Sequence, residues 1–257
     1  MLPLRDANPH PPGFKPILTI ILIIINVAVF FYEIAFTGQV WEFYNEKAAF
    51  LFYEWGAVPT CITGSSYISL PGEQISCPDM PYVSLLSSMF LHGGLMHLGG
   101  NMLFLWIFGD NIELRFGKAK FLGIYLVWGI VAGLSHIVID PLSPIPAVGA
   151  SGAISGVLGA YLAMFPKAKI MTFMMMGFFW RMIHIEARWF LPFWLIFQNV
   201  LPFLIGGFGF AGGEGGGVAF MAHIGGFLIG LATGYLYKKS HSSEFTYGTR
   251  YGWRGDR

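Results

Sequence analysis

Six apolar runs, each long enough or nearly long enough to cross a hydrocarbon layer, limit what this chain can fold into more than any other feature. They cover roughly residues 17–36, 95–114, 121–139, 149–165, 187–206 and 218–237. A bilayer core of ~30 Å takes about 20 helical residues. Backbone groups find no water in that layer, so runs of this kind close their hydrogen bonds within helices. The expected fold is therefore an all-α membrane protein, a single six-transmembrane-helix domain over 1–237 with a long outer loop at 37–80. A polar tail at 238–257 follows. Composition agrees, because 55% of the residues are hydrophobic and only 11% charged, where a soluble domain has about a quarter charged. The bilayer is thus the expected partner and nucleic acid is not. The first run has no cleavage-site pattern after it and reads as an anchor, not a removable signal.

Orientation follows from lysine and arginine, which collect in cytoplasmic loops. Arg5 and Lys15 precede the first run, whereas the 37–80 loop sets one basic residue, Lys47, against Glu42, Glu46, Glu54, Glu73 and Asp79. The second connection carries Arg115, Lys118 and Lys120, the third only Asp140, the fourth Lys167, Lys169, Arg181 and Arg188, and the fifth only Glu214. Lys238, Lys239, Arg250, Arg254 and Arg257 make the tail basic. Both termini are expected in the cytoplasm, with the 37–80 loop outside.

That loop is rich in aromatic residues, Trp41, Phe43, Tyr44, Phe50, Phe52, Tyr53 and Trp55, and is expected to hold an interfacial helix that props the bundle. It also holds both cysteines, Cys61 and Cys77, on the side where a disulfide persists. Whether they are bridged is open from the sequence, and no further ligands with zinc-site spacing accompany them. The stretch 168–186 is apolar but interrupted by Arg181, His184 and Glu186, and is expected on the inner surface, not across the membrane. The glycine-rich segment 206–217 has two readings, a lid and a plain connection.

Ionisable and polar groups inside membrane spans are costly and are therefore the first places to look for function. His97 and Asn101, four residues apart, share a face near the outer end of the second run. His223 lies about five residues into the sixth run from outside, and Ser151 about two residues into the fourth. At ~1.5 Å per residue these depths agree within about two helical turns. A site of this kind suits nucleophilic chemistry: His223 takes the Ser151 proton, and His97, Asn101 and the Ser151 amide donate to a developing oxyanion. Small residues along the fourth run (Gly152, Ser155, Gly156, Gly159, Ala163) and the sixth (Ala219, His223, Gly226, Gly230, Gly234) allow the close approach this needs. No carboxylate lies at matching depth, so a serine and histidine dyad is expected, not a triad. Ser155, one turn deeper, reads as packing or water binding.

These residues resemble the rhomboid intramembrane serine proteases. Gly149-Ala150-Ser151-Gly152 is similar to that family's GxSG motif, His97 to Asn101 to its HxxxN, and Ala222-His223-Ile224-Gly225-Gly226 with Gly230 to its histidine and glycine pattern. The run from Gly100 to Glu113 is similar as well, and the resemblance extends from about His92 to Tyr237. It implies a rhomboid-like bundle with Ser151 as nucleophile, His223 as general base, His97 and Asn101 as oxyanion stabilisers and His92 in support. It also implies transmembrane protein substrates, a fifth span and loop that gate access, and neither metal nor organic cofactor. The expected location is a prokaryotic cell membrane, with the site opening to the extracytoplasmic side. One departure is the Trp-Arg pair often found in the family's first loop: Trp41 and Trp55 are each followed by another residue, which leaves the anchoring of this loop to be explained.

Three other readings fit the sequence less well. A metalloprotease built on His92, His97 and His223 would ordinarily carry HExxH, which the chain lacks. A transporter would hold its polar groups near the midplane, whereas these cluster toward one surface, and a non-catalytic binding relative would be expected to lack the nucleophile or base.

Overall fold

A computed structural model describes residues 1–70, 72–176, 179–207 and 220–241. Helix occupies each of the six apolar runs. We label the principal elements β1 (Leu2–Asp6), α1 (Ile17–Thr37), α2 (Glu46–Trp55), β2 (Tyr67–Leu70), β3 (Glu73–Ser76), α3 (Leu95–Phe116), α4 (Lys118–Ile139), α5 (Ser151–Met164), β4 (Lys169–Met176), β5 (Phe179–Glu186), α6 (Ala187–Leu195), α7 (Leu201–Gly207) and α8 (Phe220–Ser240). A π-helical turn, Ile196–Val200, joins α6 to α7. By length and composition three helices among the described residues, α1, α4 and α8, suffice to cross a membrane. Helix α3 is as long as α4, but its last turns carry Asp110, Glu113 and Arg115.

The core is built around α5. Eleven of its 14 residues are buried, and at ~1.5 Å per residue it spans only about 21 Å, less than a hydrocarbon core. Its neighbours therefore have to enclose it. The closest is α8, and their contact explains the glycines: a Cβ on Gly230 would overlap the Gly156 carbonyl oxygen, and one on Gly226 would overlap that of Gly152. On its other side α5 meets α4, where the Trp128 ring lies over Gly156 and its Nε1–H donates to Thr233 Oγ1 at 3.1 Å. Helix α1 lacks a side-chain cap of its own. The buried Glu113 carboxylate of α3 serves instead, accepting from Leu18 N (3.0 Å), Thr19 N (2.8 Å) and Thr19 Oγ1 (2.9 Å). A carboxylate at a helix N-terminus satisfies orphan donors and matches the helix dipole.

The molecule is not wholly helical. The stretch 168–186, expected at the inner surface, is a β-hairpin whose strand β4 also pairs with β1, giving the order β1-β4-β5. Asp6 at the end of β1 accepts from Tyr161 Oη (2.6 Å) and Asn111 Nδ2 (3.0 Å), which ties the N-terminus to α5 and α3. Periodicity alone did not predict these strands, because methionine-rich apolar residues fit a strand paired on both sides as well as a helix.

The outer loop holds α2, capped by Asn45, whose Oδ1 accepts from Ala48 N at 2.9 Å. Ala48 and Leu51 face inward, while Phe50 and Trp55 are exposed. Cys61 and Cys77 are disulfide-bonded, with Cα atoms 5.5 Å apart. This bridge encloses the β2–β3 hairpin. The loop is anchored without a Trp-Arg pair: Ala57 and Ala147 exchange backbone hydrogen bonds of 3.0 and 2.9 Å, and Thr60 N donates to Ser143 O at 3.2 Å. It therefore holds the segment that leads into α5. Most of the glycine-rich segment, 208–217, and the tail from 242 lie outside the described residues.

Candidate active site

The site begins with the turn before α5. Gly149 has φ 120°, which a side chain would strain, and its N–H donates to Ser88 O at 2.8 Å. A Cβ there would stand 2.8 Å from His97 Cε1 and Nε2. Glycine thus both makes the turn and lets the His97 ring lie against it. Ser151 follows as the first residue of α5, so its amide has no intrahelical acceptor.

The glycine seam between α5 and α8 brings His223 to this serine. His223 Nε2 lies 2.7 Å from Ser151 Oγ. On the far side of the ring, Nδ1 lies 2.5 Å from Asn199 Oδ1, in the π-helical turn. On its far side the expected Ser151 and His223 pair therefore has a third polar group, an amide and not a carboxylate. Asn199 is not among the site residues expected from the sequence. The available signal was an asparagine inside an apolar run, costly there unless used.

On α3, His97 Nδ1 accepts from Gly93 N at 3.3 Å, which leaves Nε2 as the nitrogen bearing the proton. That nitrogen is the one directed at the Gly149 turn. Asn101, 7% exposed, has a buried Nδ2 with no hydrogen-bond partner among the described residues. His92 is fully buried, its ring 5.1 Å from that of His97, its backbone N–H donating to Glu33 Oε1 at 3.0 Å. Burial pushes the His92 imidazole down to about 3, and nearby His97 adds to this while the Phe90 carbonyl opposes it. Its ring lies against His97 and not among the residues that line the cavity at Ser151. Ser155 donates its hydroxyl to Ser151 O at 2.7 Å, which occupies it structurally.

Ser151, His223, His97 and Asn101 all line one cavity of about 610 Å³. Its remaining walls are mostly apolar, including Met96, Phe104, Val148 and Trp194, and no carboxylate lies among them. Phe104 of α3 and Trp194 of α6 meet with ring centroids 5.8 Å apart. Among the described residues no group of three or more His, Cys, Asp or Glu is arranged to hold a metal ion. Such a cavity presents a serine hydroxyl beside a histidine acceptor, with unspent N–H donors nearby. Those are the parts of acyl transfer to a hydroxyl.

Comparison with known proteins points the same way. The family model for the Rhomboid domain matches residues 80–240. The chain is 46% identical over 78 residues to rhomboid protease GluP of Bacillus subtilis, covering 30% of this chain and 15% of that protein. It is 32% identical over 166 residues to rhomboid protease AarA of Providencia stuartii, covering 60% and 52%. To the mitochondrial Rhomboid protein 1 of Saccharomyces cerevisiae it is 38% identical over 95 residues, covering 35% and 28%. The matches span about half or less of these relatives.

Proposed function

The chain belongs to the rhomboid family, and from that premise we propose that it is an intramembrane serine endopeptidase acting on transmembrane segments of other proteins. The observation that carries this reading is the 2.7 Å contact between Ser151 Oγ and His223 Nε2 at the wall of a cavity shared with His97 and Asn101. In the proposed reaction Ser151 Oγ attacks the scissile carbonyl carbon as its proton passes to His223 Nε2. The resulting oxyanion accepts from Asn101 Nδ2, His97 Nε2 and the Ser151 amide. His223 then protonates the leaving amine, and water, deprotonated by the same ring, releases the acyl group from Ser151.

Six spans with both termini in the cytoplasm fit the alternation of basic connections, and they set the Ser151 end of α5 toward the outside. The shortness of α5 fits a nucleophile recessed below that surface yet reached by water through the cavity. The helices and the named bacterial relatives fit a multi-pass protein of a prokaryotic cell membrane. Peptide bonds in an intact helix are shielded, so the favoured substrates are segments loosened by glycine, proline or small residues near the cut. The reaction as drawn uses no metal or organic cofactor.

The test is covalent. A fluorophosphonate probe is expected to label the purified protein and its Ser155→Ala variant but not Ser151→Ala, which should also cleave no single-span test substrate. Folded Ser151→Ala that still cleaved would remove the proposal, and labelling lost only in Ser155→Ala would move the nucleophile one turn inward.

A further inference from the structure

We infer that Asn199 is a positioning residue that determines which ring nitrogen of His223 faces the nucleophile, an inference that rests on the serine protease reading above. Asn199 is 1% exposed, while Ile196 and Phe197 of the same π-helical turn are about half exposed. Gln198 beside it is exposed as well, so of the turn's two amide side chains only that of Asn199 is buried. A π turn carries an extra residue, which re-aims the side chains on it, and such turns recur at functional sites.

The amide has one use in this position. Its Oδ1 faces His223 Nδ1, whereas its Nδ2 has no partner among the described residues. The acceptor is engaged and the donors are idle. A neutral imidazole carries one proton, and a base that accepts from Ser151 at Nε2 must carry it on Nδ1. The buried Nδ1–H then needs an acceptor, and Asn199 Oδ1 is one. Without it the alternative tautomer, with its proton on Nε2, points a donor at the serine and takes no proton from it. An amide supplies the acceptor without burying an ionised group.

Asn199 also lies in the same helical run as Trp194, which walls the cavity and whose ring centroid is 6.4 Å from that of His223.

The other titratable side chains whose charges bear on His223 are His97 and His136, and the test leaves both in place. Full-length parent, Asn199→Ala, Asn199→Asp and Ser151→Ala are compared for cleavage of a single-span test substrate across pH, with thermal midpoints measured in parallel. Asn199→Ala is expected to lower kcat by about tenfold to a hundredfold, with KM within about twofold and a near-parental midpoint. Asn199→Asp is expected to recover turnover and to move the acid limb of the kcat/KM profile to higher pH, because a carboxylate favours the protonated ring. Parental kcat and acid limb in Asn199→Ala overturn the assignment. So do equal losses in both variants with the acid limb unmoved, which would mark a packing role. If Asn199→Ala does not fold, Asn199→Asp decides alone: an unmoved acid limb overturns the inference. Cleavage by Ser151→Ala is a separate outcome that overturns the serine protease reading itself.

Discussion

Asn101 is a buried amide whose Nδ2 has no partner among the described residues, as its proposed role of transition-state donor requires. Bonds made only to the developing oxyanion lower the barrier without tightening the ground state. Loss of one such donor commonly costs ~3 kcal/mol. Asn101→Ala is accordingly expected to keep its fold and its KM but to lose about a hundredfold in kcat, measured on the test substrate. His92 acts differently, through stability. Its ordinary value of 6.5 falls to about 3 on burial, so the unfolded chain binds the proton more readily than the native one. The stability that depends on a neutral His92 is whole above about pH 6.5 and declines as pH falls toward 3. The thermal midpoint of the parent should drop across that window, and His92→Gln should show a shallower drop.

At the scale of elements, the α5–α8 seam decides whether the site exists. Ser151 and His223 lie 72 positions apart in sequence, and only backbone-to-backbone approach of their helices brings hydroxyl to ring. Gly230→Ala places a methyl group on the Gly156 backbone and is expected to cost about 1–3 kcal/mol, read as a lower thermal midpoint. Activity should fall with it as the helices separate. Gly123→Ala on α4 meets no neighbour within 4 Å and should leave both unchanged. The small-residue pattern made the seam legible, because close approach has a simple compositional signature. The π-helical turn had no such signature. An asparagine beside Gln198 in an apolar run reads the same in an α-helix and in a π turn, and a half-turn error would point it to lipid. The hairpin β4–β5 escaped for a related reason: its strands pair with each other, and β4 also pairs with β1, a partner more than 160 residues away.

For the whole molecule, the proposed topology makes a direct prediction. Reporter domains fused to the N- and C-termini should both report the cytoplasm, while one inserted in the 37–80 loop should report the opposite side. Opposite results at the two termini would break the six-span arrangement. The sequence alone determined which segments are helical, where chemistry-bearing residues lie along them and how basic residues are distributed, since hydrophobic length, periodicity and charge are local properties of a chain. Ser151, His97, Asn101 and His223, which line one cavity, stand out in it for the same reason: polar groups are conspicuous in apolar runs. Tertiary structure alone decided which nitrogen of His223 meets the serine, what holds the other, how α1 is capped by Glu113 and how the outer loop is tied to the turn before α5. Those are contacts between distant segments, set by angles and fractions of an ångström that no single stretch of sequence encodes.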